Sequence, residues 1–277
     1  MKNFFLRPFR PNKIDRRHRD AGDRNDVERI NIFIHVVSCN LNLLNHHTIH
    51  NKNIFINEKK KVINYWSKIL LSLVRLRVIC RKAKNELPAY PFVVVANHIS
   101  WVDIFVLLSV LPVSFIAKLE IKKWFFLGNL VEMAGTIFID RNRRKSIREV
   151  AKKITQKSLD HKRSYAFFPE GKTSPGKTIQ KFHSGLFSLF IENQELTLLP
   201  VLIKYKKENE FTEVCAYVGD TTLLESVVRI VKNSNLSAEV QIMPISIIKN
   251  NGDKIPSVGR KLLASQIRHK MLKAYHQ

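Results

Sequence analysis

The chain has 277 residues, of which 45% are apolar and 25% charged, enough length and apolar content for a substantial core. These values exclude a wholly disordered chain, a collagen-like chain and a polytopic membrane protein. Charge is the outlier: 47 Lys+Arg against 23 Asp+Glu leave +24, a surface that attracts nucleic acid, anionic lipid headgroups or phosphate-bearing substrates.

Residues 1–60 read as a poorly ordered polar extension, and residues 61–277 as one domain. The first stretch holds ten Asn and five of the ten His, and neither a period of 2 nor one of 3.6 persists across it. A short strand or helix is expected near Ile30 to Val37. His46, His47 and His50 form an HHxxH cluster, but no carboxylate or Cys stands close by, so a solvated tail is expected and no metal site. Met1 to Asp20 lacks the apolar stretch of a secretory signal. The charge-free run from Asn31 to Asn51 is too polar for a membrane span. Cys39, Cys80 and Cys215 are scattered and form no CxxC pair, which gives no disulfide framework or zinc ribbon.

A helix is predicted over Val62–Arg81. Asn64, Lys68, Ser72 and Arg75 make one polar stripe, while Tyr65, Trp66, Ile69, Leu70, Leu73 and Leu76 fill the remainder. Such a helix suits a membrane surface, packing on its own domain, or one use for each face. Strands and helices then alternate. Strands are predicted at Phe92–Ala96, Ser114–Ala117, Thr136–Ile139, Tyr165–Phe168, Leu198–Tyr205, Val214–Val218 and Ala238–Ile245. Helices are predicted at Ile104–Leu111, Leu119–Phe126, Arg143–Leu159, Phe182–Ile191, Thr222–Val231 and Val258–Ala274. The alternation argues an α/β fold with a mostly parallel central sheet flanked by helices, preceded by an amphipathic, membrane-associating helix.

Three constellations carry chemistry, each at a strand end, where α/β sheets place ligands. The first is Asn97-His98-Ile99-Ser100-Trp101-Val102-Asp103. His98 is the natural general base near neutral pH. In a continuous helix His98 and Asp103 would point about 140° apart, so they meet only if the chain turns between them. Asp103 would then fix the imidazole tautomer. The bland reading makes Asp103 a helix-start charge and His98 a satisfied loop residue. The second is Gly135 to Arg141, in which Arg141 follows a buried strand and suits bidentate phosphate binding. The third is Phe167-Phe168-Pro169-Glu170-Gly171, in which Glu170 would receive a substrate hydroxyl and the Gly171 amide would approach a ligand.

Gly171 to Thr178 also matches the P-loop pattern GxxxxGK[ST], with a strand before it and a plausible helix after. Against that reading, only 99 residues follow Thr178, and the His98 and Arg141 segments stay unexplained. A nucleic-acid-binding role would account for the charge alone, since aromatics are not interleaved with the basic runs.

The order Asn97-His98…Asp103, Gly135…Asp140-Arg141, Phe168-Pro169-Glu170-Gly171 and Leu199-Pro200-Val201 resembles the four blocks of the glycerolipid acyltransferase family. The likeness is to bacterial 1-acylglycerol-3-phosphate and related lysophospholipid acyltransferases, and covers roughly residues 62 to 275. It implies that His98 deprotonates the acceptor hydroxyl and that Asp103 orients His98. Acyl-CoA or acyl-carrier protein would donate the acyl group directly to a lysophospholipid, with no metal or other cofactor. Asn97, Arg141, Glu170, Gly171, Lys172 and Ser174 would hold the acceptor, and Pro200 would shape the acyl site. One departure is Lys172-Thr173-Ser174 where the family often carries Thr-Arg-Ser. A Lys is no bidentate fork, so acceptors such as a lyso-ornithine lipid stay open beside 1-acyl-sn-glycerol-3-phosphate. Lipid substrates imply a monotopic or peripheral protein on the cytoplasmic face of the inner membrane.

Overall fold

The structure is a computed structural model that describes residues 25–32, 52–82, 88, 91–119, 135–139, 144–161, 163–192, 196–244 and 259–277. Its strands are β1 (Leu76–Lys82), β2 (Phe92–Ala96), β3 (Val113–Lys118), β4 (Ile137–Ile139), β5 (Ser164–Phe167), β6 (Thr197–Lys207), β7 (Glu210–Phe211) and β8 (Leu236–Ile242). Its helices are α1 (25–32), α2 (Lys52–Leu73), α3 (Asp103–Val110), α4 (Arg144–His161), α5 (Ser188–Glu192), α6 (Leu223–Val231) and α7 (Arg260–Tyr275).

The sheet order is β1-β8-β6-β2-β5-β3-β4, with β7 paired to β6 as a hairpin. The strands from β6 to β4 run parallel; β8 is antiparallel to β6, and β1 follows β8. The sequence of β2 explains its central place: Phe-Val-Val-Val-Ala is apolar throughout, and all five residues are buried. Phe92, Val94 and Ala96 join a core containing residues of α2, α3 and α6. Val93 and Val95 face the other core, with residues of α4, α5 and α7. Alternate side chains thus feed opposite layers of a helix–sheet–helix stack. Among the described residues no helix is long and apolar enough to cross a membrane.

Several expectations are corrected. The helix predicted to run to Arg81 ends at Leu73. Arg75 turns left-handed, with φ 56°, and the next seven residues form β1 on β8. Asn64 of the supposed polar stripe faces inward, its amide donating to the Leu108 and Ser109 carbonyls at 2.8 Å. Those carbonyls end α3, where a helix leaves acceptors unfilled. Val214–Val218 is not a strand: Arg229 binds the Val214 and Ala216 carbonyls, and the Tyr217 amide donates to Ile99, so no ladder forms. Phe182–Ile191 becomes a single tight turn, Gly185–Phe187, followed by α5, because the His183 amide is drawn to the Pro169 carbonyl at 2.8 Å. Irregular chain therefore follows Thr178 where a P-loop needs a helix N-terminus, and the nucleotide-binding reading loses its structural context. Helix α2 begins at Lys52, inside the stretch read as a polar tail, and residues 25–32 are helical close to the element expected near Ile30. The expected Leu119–Phe126 helix and the His46, His47 and His50 cluster lie outside the described residues.

Candidate active site

Strands β2 and β5 are parallel neighbours, with Val95 opposite Phe167. Their carboxyl ends emerge side by side, so the His98 loop and the Phe168-Pro169-Glu170-Gly171 loop meet. Asp103 opens α3 and is fully buried. Its Oδ2 lies 2.8 Å from His98 Nδ1 and accepts the Ile99 and Ser100 amides at 2.7 and 2.9 Å. These two amides curl the chain back between the residues, the turn that brings His98 and Asp103 together. Its Oδ1 accepts the Tyr205 hydroxyl at 2.5 Å. Burial, and then the Asp103 charge, push the Tyr205 phenol well above its ordinary range. It therefore stays protonated and donates at any working pH. With Nδ1 on the carboxylate, Nε2 is the ring atom left to take a proton, and the His98 side chain is 17% exposed.

The second loop works as a clamp on His98. Glu170 is buried: Oε1 accepts the His98 amide at 2.8 Å and Oε2 the Gln180 amide at 2.9 Å. Burial raises its pKa, against the pull of those two bonds. Phe168 stacks on the imidazole at 3.9 Å with 7° between planes. The Ser174 amide donates to the His98 carbonyl at 2.9 Å, and its hydroxyl lies 3.3 Å from the same oxygen. The His98 backbone is thus gripped at both its amide and its carbonyl, and its ring on one face and at one nitrogen.

Several sequence-derived roles change accordingly. Glu170 turns inward to the backbone and does not present its carboxylate to a ligand. The Gly171 amide is taken by the Phe168 carbonyl at 3.2 Å, and φ of 77° makes glycine the fitting residue for that turn. Asn97 uses both ends of its amide on the Ile203 backbone, at 2.9 and 2.8 Å, and so ties the end of β2 to β6. Pro200 lies in β6 beside Val95, with its carbonyl accepting the Met243 amide. It stands where β8 ends, so its missing N–H removes no ladder partner. Lys172 is exposed on the loop, and Arg141 lies outside the described residues.

Sequence reading missed Tyr205, Phe168 as the ring's platform, and Tyr217. The Tyr217 amide binds Ile99, and its carbonyl accepts the Thr173 hydroxyl, which closes a third loop over the site. A buried tyrosine on the inner face of a strand signals a hydroxyl in need of a partner, but a sequence does not name that partner. Among the described residues no group of His, Cys, Asp and Glu has metal-site composition.

A histidine held by a buried carboxylate at the carboxyl edge of a parallel sheet has the geometry that general-base chemistry requires. Comparison with known proteins gives a consistent likeness. Residues 77–204 match the family model described as Acyltransferase. It is 29% identical over 185 residues to a lyso-ornithine lipid O-acyltransferase of Pseudomonas aeruginosa, covering 67% of this chain and 69% of that protein. It is 34% identical over 169 residues to a 1-acyl-sn-glycerol-3-phosphate acyltransferase of Neisseria gonorrhoeae, covering 60% of this chain and 66% of the other. The crystal structure of the 1-acyl-sn-glycerophosphate acyltransferase PlsC from Thermotoga maritima shares the fold. It superposes with a TM-score of 0.67 at 16% identity, over 92% of this chain and 96% of that one.

Proposed function

We propose that the protein transfers a fatty acyl group from a thioester, acyl-CoA or acyl-carrier protein, to the free hydroxyl of a lysophospholipid, with 1-acyl-sn-glycerol-3-phosphate as the leading acceptor. The observation that carries this reading is the fixed His98–Asp103 pair, with Nδ1 committed to the carboxylate and Nε2 left for the substrate. Nε2 takes the proton as the hydroxyl oxygen attacks the thioester carbonyl. The tetrahedral intermediate collapses, the C–S bond breaks, and the imidazolium returns the proton to the leaving thiolate. No acyl-enzyme forms on this route. Asp103 sits at the N-terminus of α3 and stabilises the imidazolium while the reaction passes through it.

A lipid acceptor places the enzyme at a membrane surface. The exposed side of α2 supports this, with Tyr65 and Lys68 projecting away from the side buried against α3. We infer monotopic or peripheral attachment to the cytoplasmic face of the inner membrane, weakened but not abolished by high salt. A lyso-ornithine lipid is the second acceptor, favoured by Lys172-Thr173-Ser174 where the family often carries Thr-Arg-Ser, which leaves Thr173 in place of the Arg. Assaying purified protein with a thioester donor against lysophosphatidic acid and lyso-ornithine lipid side by side decides between them. Faster acylation of lysophosphatidic acid is expected, and failure to acylate either lipid would overturn the proposal.

A further inference from the structure

The loop that carries Glu170 is itself held from the C-terminal helix α7. Residues 171–184 form no helix or strand, so their backbone groups need partners from outside a ladder. Helix α7 buries Ile267, Met271 and Tyr275 in the core shared with α4 and α5. Two of its side chains reach from there to the loop. Arg268 grips two consecutive carbonyls, Nη2 donating to Ile179 at 2.7 Å and Nε to Gln180 at 2.8 Å. Tyr275, about two turns further along, donates its buried hydroxyl to the Gly176 carbonyl. Burial, and then the Asp103 and Glu170 charges, push the Tyr275 phenol up, so it stays a donor and lies in the field of both site carboxylates.

Each grip is one step from the His98 loop. Gln180, whose carbonyl Arg268 takes, donates its amide to Glu170 Oε2 at 2.9 Å, and Oε1 of the same carboxylate holds the His98 amide at 2.8 Å. Gly176, whose carbonyl Tyr275 takes, lies so close to Ile99 that a Cβ on it would stand 2.9 Å from Ile99 Cδ1. The end of α7 is fixed in turn to β6. Lys204 Nζ donates to the Ala274 carbonyl at 3.4 Å and stands 4.9 Å from the centre of the Tyr275 ring. The same strand supplies Tyr205 to Asp103 and the Ile203 backbone to Asn97. The frame therefore closes: β6 holds the dyad from one side, and β6, α7 and the loop hold it from the other.

We propose that Arg268 and Tyr275 are positioning residues for the acyl transfer. From α7 they fix the Gly176–Gln180 segment, and through Glu170 and Ile99 they fix the backbone of His98. Neither touches the reacting atoms. The inference rests on His98 as the base, and a readout that needs no turnover keeps the two claims apart.

The test uses the full chain as wild type, Arg268→Gln, Arg268→Lys, Tyr275→Phe and Lys261→Gln, with two readouts. The first is amide hydrogen exchange followed by mass over residues 97–103 and 171–182. Exchange over 97–103 should quicken by roughly tenfold in Arg268→Gln, the scale of one charge-assisted hydrogen bond, and by less in Tyr275→Phe. The second is steady-state kinetics with a thioester donor and lysophosphatidic acid. In Arg268→Gln kcat should fall about tenfold with KM within about twofold, a fraction of the roughly 10²-fold that a 1 Å misplacement costs. Arg268→Lys keeps the charge but lacks the fork for two carbonyls, so it restores kcat only in part. Lys261→Gln removes an exposed charge at the start of the same helix and should leave both readouts at wild type. Tyr275→Phe loses a single hydroxyl, so it reports on the same frame even if Arg268→Gln misfolds. Faster exchange confined to α7 and 171–182, with 97–103 as in wild type, would overturn the proposal; so would a wild-type kcat in Arg268→Gln. A wild type that acylates no lipid would overturn the acyl-transfer reading instead, and exchange over 97–103 would still decide whether α7 holds the His98 loop.

Discussion

Tyr205→Phe removes one hydroxyl and nothing else. In the wild type that hydroxyl donates to Asp103 Oδ1 at 2.5 Å, with both side chains fully buried. A hydrogen bond to a charged acceptor contributes about 1.5–3 kcal/mol. The phenylalanine ring fills the same space, so no cavity cost is added. A loss of about 2 kcal/mol lowers Tm by about 4–8 °C in a domain of this size. Three donors remain on Oδ2, so His98 keeps its position and turnover is largely retained. The assay is thermal unfolding, read beside thioester-dependent lysophosphatidic acid acylation. An unchanged Tm would refute the reasoning, and so would turnover lost in a protein that still unfolds cooperatively.

Three other changes probe the clamp. Glu170→Gln leaves one acceptor for two backbone amides, so stability at neutral pH should fall by about 1–3 kcal/mol. In wild type, burial raises the Glu170 pKa. Between the ordinary glutamate value and the raised one, the folded state therefore holds more protons than the unfolded state. The contribution of Glu170 to stability then declines as pH rises through that window. Urea unfolding of wild type and Glu170→Gln as a function of pH should show that decline in wild type only. Gly176→Ala forces a side chain into φ 84° and puts its Cβ 2.9 Å from Ile99 Cδ1. It should cost about 1–2 kcal/mol from the backbone alone and, by pushing the residue next to His98, lower kcat more than it raises KM. Asn97→Ala breaks both bonds to Ile203. Unfolding should show a loss of about 2–4 kcal/mol, since two buried backbone groups are left unpaired; an unchanged denaturation midpoint would contradict its place as a strand tie.

The sheet was legible where its residues are uniformly apolar, as in β2, and where periodicity meets a cap. Thr222 and Glu225 form the capping box that starts α6 one residue inside the predicted boundary. Strand β1 was hidden because Arg77 and Arg81 read equally well as the polar face of a helix. The left-handed turn at Arg75 that separates α2 from β1 has no glycine to announce it. The alternation of exposed Arg77, Ile79 and Arg81 with less exposed Leu76, Val78 and Cys80 is a period of 2 visible in the sequence once the boundary is known. At the site, the five-residue spacing of His98 and Asp103 pointed to a junction that folds them together, and the two amides of Ile99 and Ser100 make that junction. The inward turn of Glu170 could not be read. A Pro-Glu-Gly turn exposes or buries its carboxylate according to which amides lie behind it. Here those are His98, 72 residues away in the chain, and Gln180. Tyr205 escaped for the same reason, since its partner lies 102 residues away.

The central claim is that His98, clamped by Asp103 and the Phe168–Ser174 loop, is the base for acyl transfer. Its most direct test is turnover of a thioester donor with lysophosphatidic acid by wild type and His98→Ala, each checked for folding by thermal unfolding. The account predicts a loss of about 10²–10⁴ in kcat with the cooperative transition retained. A folded His98→Ala protein that turns over at the wild-type rate would contradict it.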